Sequence, residues 1–355
     1  MNVIPIHAAR TQIPSADLPL NGPPIDTLGR HTHDLRISVT DRCNFRCIYC
    51  MPKSVFNRGF KFLPHDALLS FEEIERLARL FVAQGVQKIR ITGGEPLLRR
   101  NIEQLIEKLA TLPGIELTLT TNGSKLAQKA KALKEAGLHR ITVSLDALDD
   151  ATFRHLAGGG HSVKDVLDGI DAATAVGFDS IKINMVVKHG INNHAILPMV
   201  KYFRGSGHVL RFIEFMDVGT ANGWKLDEVL PSRDIIRLID SEYPVEPVNP
   251  KHFSEVAKRW RYKDGAGEIG VISSVTQAFC ASCTRLRLSP EGGLFTCLFA
   301  QRGYSLRDLL RNGVSDNEIS AAIAGVWQQR DDRYSEIRTD NTAGLKKVEM
   351  YYIGG

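Results

Sequence analysis

Cysteine is scarce in this chain: six residues in 355, too few for a disulfide framework to hold a protein of this size. Long apolar runs are missing as well. No stretch approaches the length that spans a bilayer, so no membrane association is expected. The first thirty residues carry prolines and two acids, Asp17 and Asp26, where a signal peptide would have an apolar core. Low-complexity tracts and blocks of like charge are absent. The net charge of +5 is mild, whereas nucleic-acid binders concentrate basic residues in a stripe, so no nucleic-acid partner is expected. There is no Walker A sequence, so a phosphate site would have to be built from side chains. What remains is a cytoplasmic chain whose residues 1–30 read as a flexible N-terminal arm. With 43% hydrophobic residues, it has enough to bury a sizeable core.

What is present is a repeat. Between residues 35 and 216, short β-branched runs alternate with amphipathic helical stretches. The runs fall at 35–39, 87–91, 116–120, 140–145, 181–187 and 209–215, and helices are predicted over 71–84, 101–111, 124–136, 164–176 and 192–204. Ser70 and Glu73 are spaced as a capping box, and Gly85, Gly137 and Gly177 stand where C-terminal caps belong. Such alternation implies βαβ crossovers and a parallel sheet. Six units are two short of a closed eight-fold barrel. The fold expected is therefore α/β, a partial (β/α)6 TIM-type barrel over 31–218. A smaller C-terminal domain over 219–340 and a tail over 341–355 follow. That domain is expected to carry a hairpin across 289–293 and helices near 305–312 and 316–329.

Within the strands the apolar residues keep one phase: Leu35, Ile37 and Val39, then Ile89 and Ile91, then Leu117 and Leu119. The opposite phase carries Arg36, Lys88, Arg90, Thr118, Thr120, Arg140, Thr142, Ser144, Lys182 and Asn184. A closed barrel normally fills its interior with branched aliphatics. A polar, partly cationic inner phase implies instead a wet chamber that holds an anion, because buried cations without a counter-charge are costly.

The cysteines are not scattered. Cys43, Cys47 and Cys50 follow the first strand with CxxxCxxC spacing, and Cys280, Cys283 and Cys297 form a second triplet. No histidine lies within either. Three thiolates can hold three corners of a cubane iron–sulfur cluster and leave one iron open to an outside ligand. The alternatives are a zinc ion borrowing a distant ligand, with His252 upstream of the second triplet, or thiols left idle. Arg285 and Arg287, two residues apart on a strand, face one way and suit phosphate oxygens. TGGEPLLR (92–99), TTNG (120–123), SLD (144–146) and EFMDVG (214–219) all end strands, and a barrel builds its active site on that face.

CxxxCxxC with an aromatic residue, Tyr49, before the last cysteine resembles the radical S-adenosylmethionine superfamily. That resemblance implies a 4Fe–4S cluster on Cys43, Cys47 and Cys50, with S-adenosylmethionine on its open iron as the source of a 5′-deoxyadenosyl radical. Within the superfamily, CASCTRLRL with Cys297 and the final Gly354-Gly355 resemble the branch of lyases that cyclise GTP at the first step of molybdenum cofactor biosynthesis. This implies a second 4Fe–4S cluster on Cys280, Cys283 and Cys297. Tyr49, Gly94, Ser144 and Met216 would contact S-adenosylmethionine. Arg36, Lys88, Arg90, Thr120, Lys182, Arg285 and Arg287 would hold GTP, and Arg285, Arg287, Gly354 and Gly355 would assist the chemistry. The implied partners are a flavodoxin- or ferredoxin-like electron donor, cyclic pyranopterin monophosphate synthase as recipient of the product, and a possible second copy in a homodimer. Two other readings are a peptide-maturing radical enzyme, which would lack the chamber of cations, and a non-enzymatic iron–sulfur or zinc module, which would not need it.

Overall fold

A computed structural model describes residues 12–18, 22–158, 160–250, 254–339, 342 and 345–355. Its six leading strands follow the predicted runs within a residue or so: β1 (Asp34–Ser38), β2 (Lys88–Thr92), β3 (Glu116–Thr121), β4 (Arg140–Ser144), β5 (Lys182–Val187) and β6 (Val209–Glu214). Between them run α1 (Phe71–Ala83), α2 (Ile102–Ala110), α3 (Leu126–Glu135), α4 (Asp150–Ala157), α5 (Val163–Ala175) and α6 (Ile196–Phe203). The Ser70–Glu73 capping box forms at the start of α1, which buries Ile74, Leu77 and Phe81 against the sheet. Helix α4 was not anticipated. Asp149 caps it by accepting from the Thr152 amide, and Phe153, Leu156 and Ala157 form its buried stripe.

The C-terminal region does not form a separate layer. It continues the same sheet. After α7 (Ser232–Glu242) come β7 (Val245–Val248), β8 (Lys258–Tyr262), β9 (Glu268–Ile272), β10 (Arg285–Leu288), β11 (Gly293–Phe295) and β12 (Tyr304–Ser305). The order is β12-β11-β10-β1-β2-β3-β4-β5-β6-β9-β8-β7. β10 joins β1 and β9 joins β6, both parallel, so the two strands missing from the barrel repeat come from beyond residue 219. Antiparallel pairs extend both edges, and the barrel stays partial. The predicted hairpin is β10–β11, and the last helices are α8 (Leu306–Arg311), α9 (Asp316–Gln328) and a short α10 (Met350–Ile353).

Parts of the expected N-terminal arm are tied to the rest of the fold. The Ala16 amide donates to the Ala321 carbonyl at 2.9 Å. Asp26 is buried between two guanidiniums, Arg30 Nε at 2.6 Å and Arg330 Nη1 at 3.0 Å. A buried carboxylate needs such partners, and Arg330 is supplied from some three hundred residues away in the sequence, which is why local composition did not reveal it. His252, the only ligand candidate noted outside the cysteine triplets, lies outside the described residues.

Candidate active site

The inner phase of the strands lines a chamber of about 1140 Å³. Strand register sorts its charges into two rungs. In the lower one Arg285, Asp34, Lys88 and Glu116 stand side by side across β10, β1, β2 and β3. This rung is compensated. Lys88 Nζ lies 2.6 Å from Glu116, Arg140 donates to the same carboxylate, and Thr284 donates to Asp34 at 3.1 Å. Burial opposes ionisation of Asp34, but His33 and Lys88 pull its carboxyl down to about 2.

One step towards the carboxyl ends, Arg287, Arg36 and Arg90 are aligned on β10, β1 and β2. None of the three is in an ion pair among the described residues. Arg90 donates to the hydroxyls of Thr120 and Thr142 at 2.9 and 3.3 Å. Burial, then the guanidiniums of Arg287, Arg285 and Arg90, push the pKa of Arg36 well down. Burial and Arg285 lower Arg287 to about 9. Across the chamber, burial and four cations, led by Arg211, lower the Lys182 amine to about 6. Arginine does not give up its proton in proteins. The physical content of these shifts is a concentrated positive potential that an anion would relieve.

The second cysteine triplet opens onto this chamber, and Cys280, Cys283 and Cys297 all line it. Its backbone is gripped by the buried N-terminal pair. Arg30 donates to the Cys280 carbonyl at 2.8 Å, and Arg330 donates to the carbonyls of Cys283 at 2.8 Å and Thr296 at 3.1 Å. Arg285 points both nitrogens at Cys283 Sγ, 3.1 and 3.2 Å away. Burial opposes the thiolate, but Arg285 and Arg330 outweigh it and bring Cys283 down to about 6. Burial raises Cys297 to about 12.

The first triplet follows the end of β1, and Cys43, Cys47 and Cys50 are not among the residues that line this chamber. All six cysteines are free thiols, half-buried. Burial and the neighbouring thiols, Cys43 first, raise Cys47 far above its ordinary range. Burial and Glu95 bring Cys43 up to about 12. A cationic iron–sulfur core would remove this repulsion. Among the described residues, no three Cys, His, Asp or Glu converge on a single ion. Each triplet offers three thiols, the donor chemistry that an iron–sulfur cluster takes.

The remaining predicted contacts surround the first triplet. Tyr49 is buried and donates to Asp146 at 2.6 Å, which brings it beside the end of β4, where Ser144 lies. Gly94 is required by packing, since a Cβ there would stand 2.3 Å from the Arg42 carbonyl oxygen. Glu95 is buried and pushed up to about 7 by that burial. It accepts from Leu97, Thr121 and Asn122, and Asn122 reaches Cys43 Sγ at 3.8 Å. The C-terminal tail reaches both triplet regions and the chamber. The Tyr351 amide hydrogen-bonds Cys50, Arg287 donates to the Gly354 carbonyl, and Gly355 lines the chamber. Asp217 anchors this segment, 2.8 Å from Lys347 Nζ and 2.9 Å from Arg338 Nε.

Of the predicted GTP residues, Arg36, Lys88, Arg90, Thr120, Lys182, Arg285 and Arg287 all line the chamber, although Lys88 already has Glu116 as its partner. Met216 lines it too, whereas Tyr49, Gly94 and Ser144 do not. The sequence reading missed Arg211, which faces the chamber from β6 with Nε buried and unpaired. The alternation Leu210/Phe212 against Arg211/Ile213 was the available signal. The Arg30–Asp26–Arg330 grip and the Asp217–Lys347 anchor were also missed. Their members are far apart in sequence.

Residues 37–203 match the Radical SAM superfamily, and residues 208–336 match the family described as Molybdenum Cofactor Synthesis C. Two crystal structures of Streptococcus suis SuiB share the fold. The form bound to S-adenosylmethionine aligns with a TM-score of 0.59 and 18% identity, over 91% of this chain and 72% of that one. The form bound to the precursor peptide SuiA gives 0.58 and 16%, over 91% and 71%. The fold and the cysteine site thus define a radical S-adenosylmethionine protein. Curated relatives narrow this further. The GTP 3′,8-cyclase of Acidothermus cellulolyticus is 49% identical over 93% of this chain and 98% of its own length. The one from Staphylococcus carnosus is 48% identical with the same coverage. The chain belongs to the GTP 3′,8-cyclase family.

Proposed function

We propose that this chain converts GTP to (8S)-3′,8-cyclo-7,8-dihydroguanosine 5′-triphosphate, the first step of molybdenum cofactor biosynthesis, with the residues described above in defined roles. The observation that carries the assignment of residues is the uncompensated rung of Arg287, Arg36 and Arg90 in a chamber that also holds the second cysteine triplet. Three guanidiniums, with Lys182 and Arg211 opposite, match a triphosphate in charge and in donor geometry. The thiols of Cys280, Cys283 and Cys297 would hold one cluster near the guanine end of the substrate.

S-adenosylmethionine and the cluster on Cys43, Cys47 and Cys50 supply, when bound, a 5′-deoxyadenosyl radical that can take the hydrogen from C3′ of the nucleotide. The protein's part is positional. Gly94 lets the 93–95 turn pack against residues 40–42 and present its backbone to the methionine end. Asp146 fixes the Tyr49 ring, and Ser144 and Met216 complete that side. The cations fix the triphosphate, so that C3′ and C8 of one substrate are held in a single geometry. Arg287 and the Gly354 carbonyl close the chamber against water and oxygen.

Among the described residues, no helix is long and apolar enough to cross a membrane. Six free thiols in two clusters suit a reducing cytoplasm. A one-electron protein donor and hand-off of the product to cyclic pyranopterin monophosphate synthase complete the reading. Its test is an anaerobic incubation with S-adenosylmethionine, GTP and dithionite, with products identified by mass. The cyclised nucleotide is expected together with 5′-deoxyadenosine. Formation of 5′-deoxyadenosine without any change in GTP would sink the assignment.

A further inference from the structure

Residues 42–65 contain five cations, Arg42, Arg46, Lys53, Arg58 and Lys61, and no aspartate or glutamate. In a chain with 45 basic and 40 acidic residues such a run is a local excess of one sign. It begins inside the first cysteine motif and continues through the loop that follows it. Lys53, Arg58 and Lys61 are exposed, and none is in an ion pair among the described residues. Elsewhere on the surface, exposed cations such as Arg79, Lys131 and Lys164 each sit on a carboxylate one helical turn away.

The loop is a built platform. Phe56 packs on Phe60 with ring centroids 4.7 Å apart, and Phe60 on Phe62 at 4.9 Å. Arg46 pins the stack to the cysteine motif. Its guanidinium donates to the carbonyls of Phe56 at 2.9 Å and Cys43 at 2.7 Å, and it lies 5.8 Å from the Phe62 ring. Cys43 and Cys50 pack against the same apolar cluster as these rings. Lys53, Arg58 and Lys61 of this loop are exposed, while Cys43 and Cys50 pack against the cluster that holds its rings. No residue from 41 to 66 lines the GTP chamber, so a large partner on this face would not obstruct substrate.

We propose that the 52–63 loop is the docking surface for an acidic one-electron carrier protein that reduces the group held by Cys43, Cys47 and Cys50. This rests on the reading above that the group takes up one electron. The carrier loses that electron, the group gains it, and no atom changes hands. Electron transfer weakens steeply with distance, and this loop is packed against Cys43 and Cys50. Unpaired cations around half-buried aromatic rings provide electrostatic steering towards an acidic face, with an apolar centre to seat it.

The test uses the full-length reconstituted protein and a flavodoxin as probe, compared with Lys53→Glu/Arg58→Glu/Lys61→Glu. A control, Lys131→Glu/Lys164→Glu/Lys201→Glu, makes the same change in net charge on other exposed residues. Flavodoxin binding is measured by calorimetry at low and high salt, and 5′-deoxyadenosine formation is measured with reduced flavodoxin and, separately, with dithionite. The loop variant should bind flavodoxin about tenfold or more weakly and lose most of the salt dependence. Its flavodoxin-driven rate should fall in step, while the dithionite-driven rate stays at the wild-type level. The control should match wild type in every assay. Equal losses in the loop variant and the control, or unchanged flavodoxin binding in the loop variant, would overturn the proposal, as would retention of duplex DNA by the patch in place of flavodoxin. A wild type inert with dithionite would count against the radical reading itself, and the binding measurement remains informative in that case.

Discussion

Lys182 gives the most quantitative expectation. Burial comes first, then the charges of Arg211, Arg140, Lys88 and Arg90, and together they lower its amine to about 6 in the free protein. At about pH 7.5 such an amine is roughly 3% charged. A bound triphosphate compensates the four cations and returns the amine towards its ordinary value of about 10.4. Each GTP should then draw close to one proton from solution. The sign follows directly. The complex binds more protons than the free protein between the two pKa values, so affinity falls as pH rises, by at most about tenfold (1.4 kcal/mol) per pH unit. The same depressed pKa makes this group's contribution to the stability of the free protein increase with pH above about 6, where the unfolded chain holds the extra proton. Calorimetry of GTP binding in two buffers of different ionisation heat counts the protons. In Lys182→Met the count should drop by nearly one and the pH slope should flatten, and any proton shed by the nucleotide itself cancels in the comparison. An unchanged count in that variant would refute the reasoning.

Replacing Cys43, Cys47 or Cys50 by Ser should remove about half the iron of reconstituted protein and all formation of 5′-deoxyadenosine, whereas Cys280→Ser should remove the other half, as read by iron analysis and electron paramagnetic resonance. Arg287→Ala should weaken GTP binding by about 1.5–3 kcal/mol and leave S-adenosylmethionine binding unchanged in calorimetry. A Cβ on Gly354 would stand 2.2 Å from Thr92 Cγ2, at a φ of 73° that disfavours side chains. Gly354→Ala should therefore lift the tail. Iron content and GTP affinity should survive, while deuterium transfer from C3′-labelled GTP into 5′-deoxyadenosine falls sharply.

The barrel strands were legible because their alternation is regular: Leu35, Ile37 and Val39 are buried in the core while Arg36, between them, is not. The same alternation places Arg36, Arg90 and Lys182 in one interior. It was not carried through to 209–214, and Arg211 was lost there. Helix α4 was missed because no element was assigned between the run at 140–145 and the helix at 164–176, although Asp149 with Phe153 and Leu156 was a sufficient start signal. The division at 218 placed β9 and β10 in another domain. Their parallel pairing with β6 and β1 is a long-range event that local pattern does not encode. Asp26 and Arg30, assigned to a free arm, illustrate the same limit, since their role depends on Arg330.

The placement of β10 beside β1 has a consequence for biosynthesis. β1 is among the first strands to leave the ribosome, yet its outer neighbour is not made until residues 285–288, and β6 waits in the same way for 268–272. Until then the nascent barrel carries two open parallel edges, the kind of surface that recruits other chains. Contacts of such large sequence separation also slow folding. A fragment that stops near residue 218, just beyond β6, would keep both edges permanently. Such a fragment should be recovered in aggregates or with chaperones and not as a folded half-enzyme, and completion of the sheet becomes a late, whole-chain event.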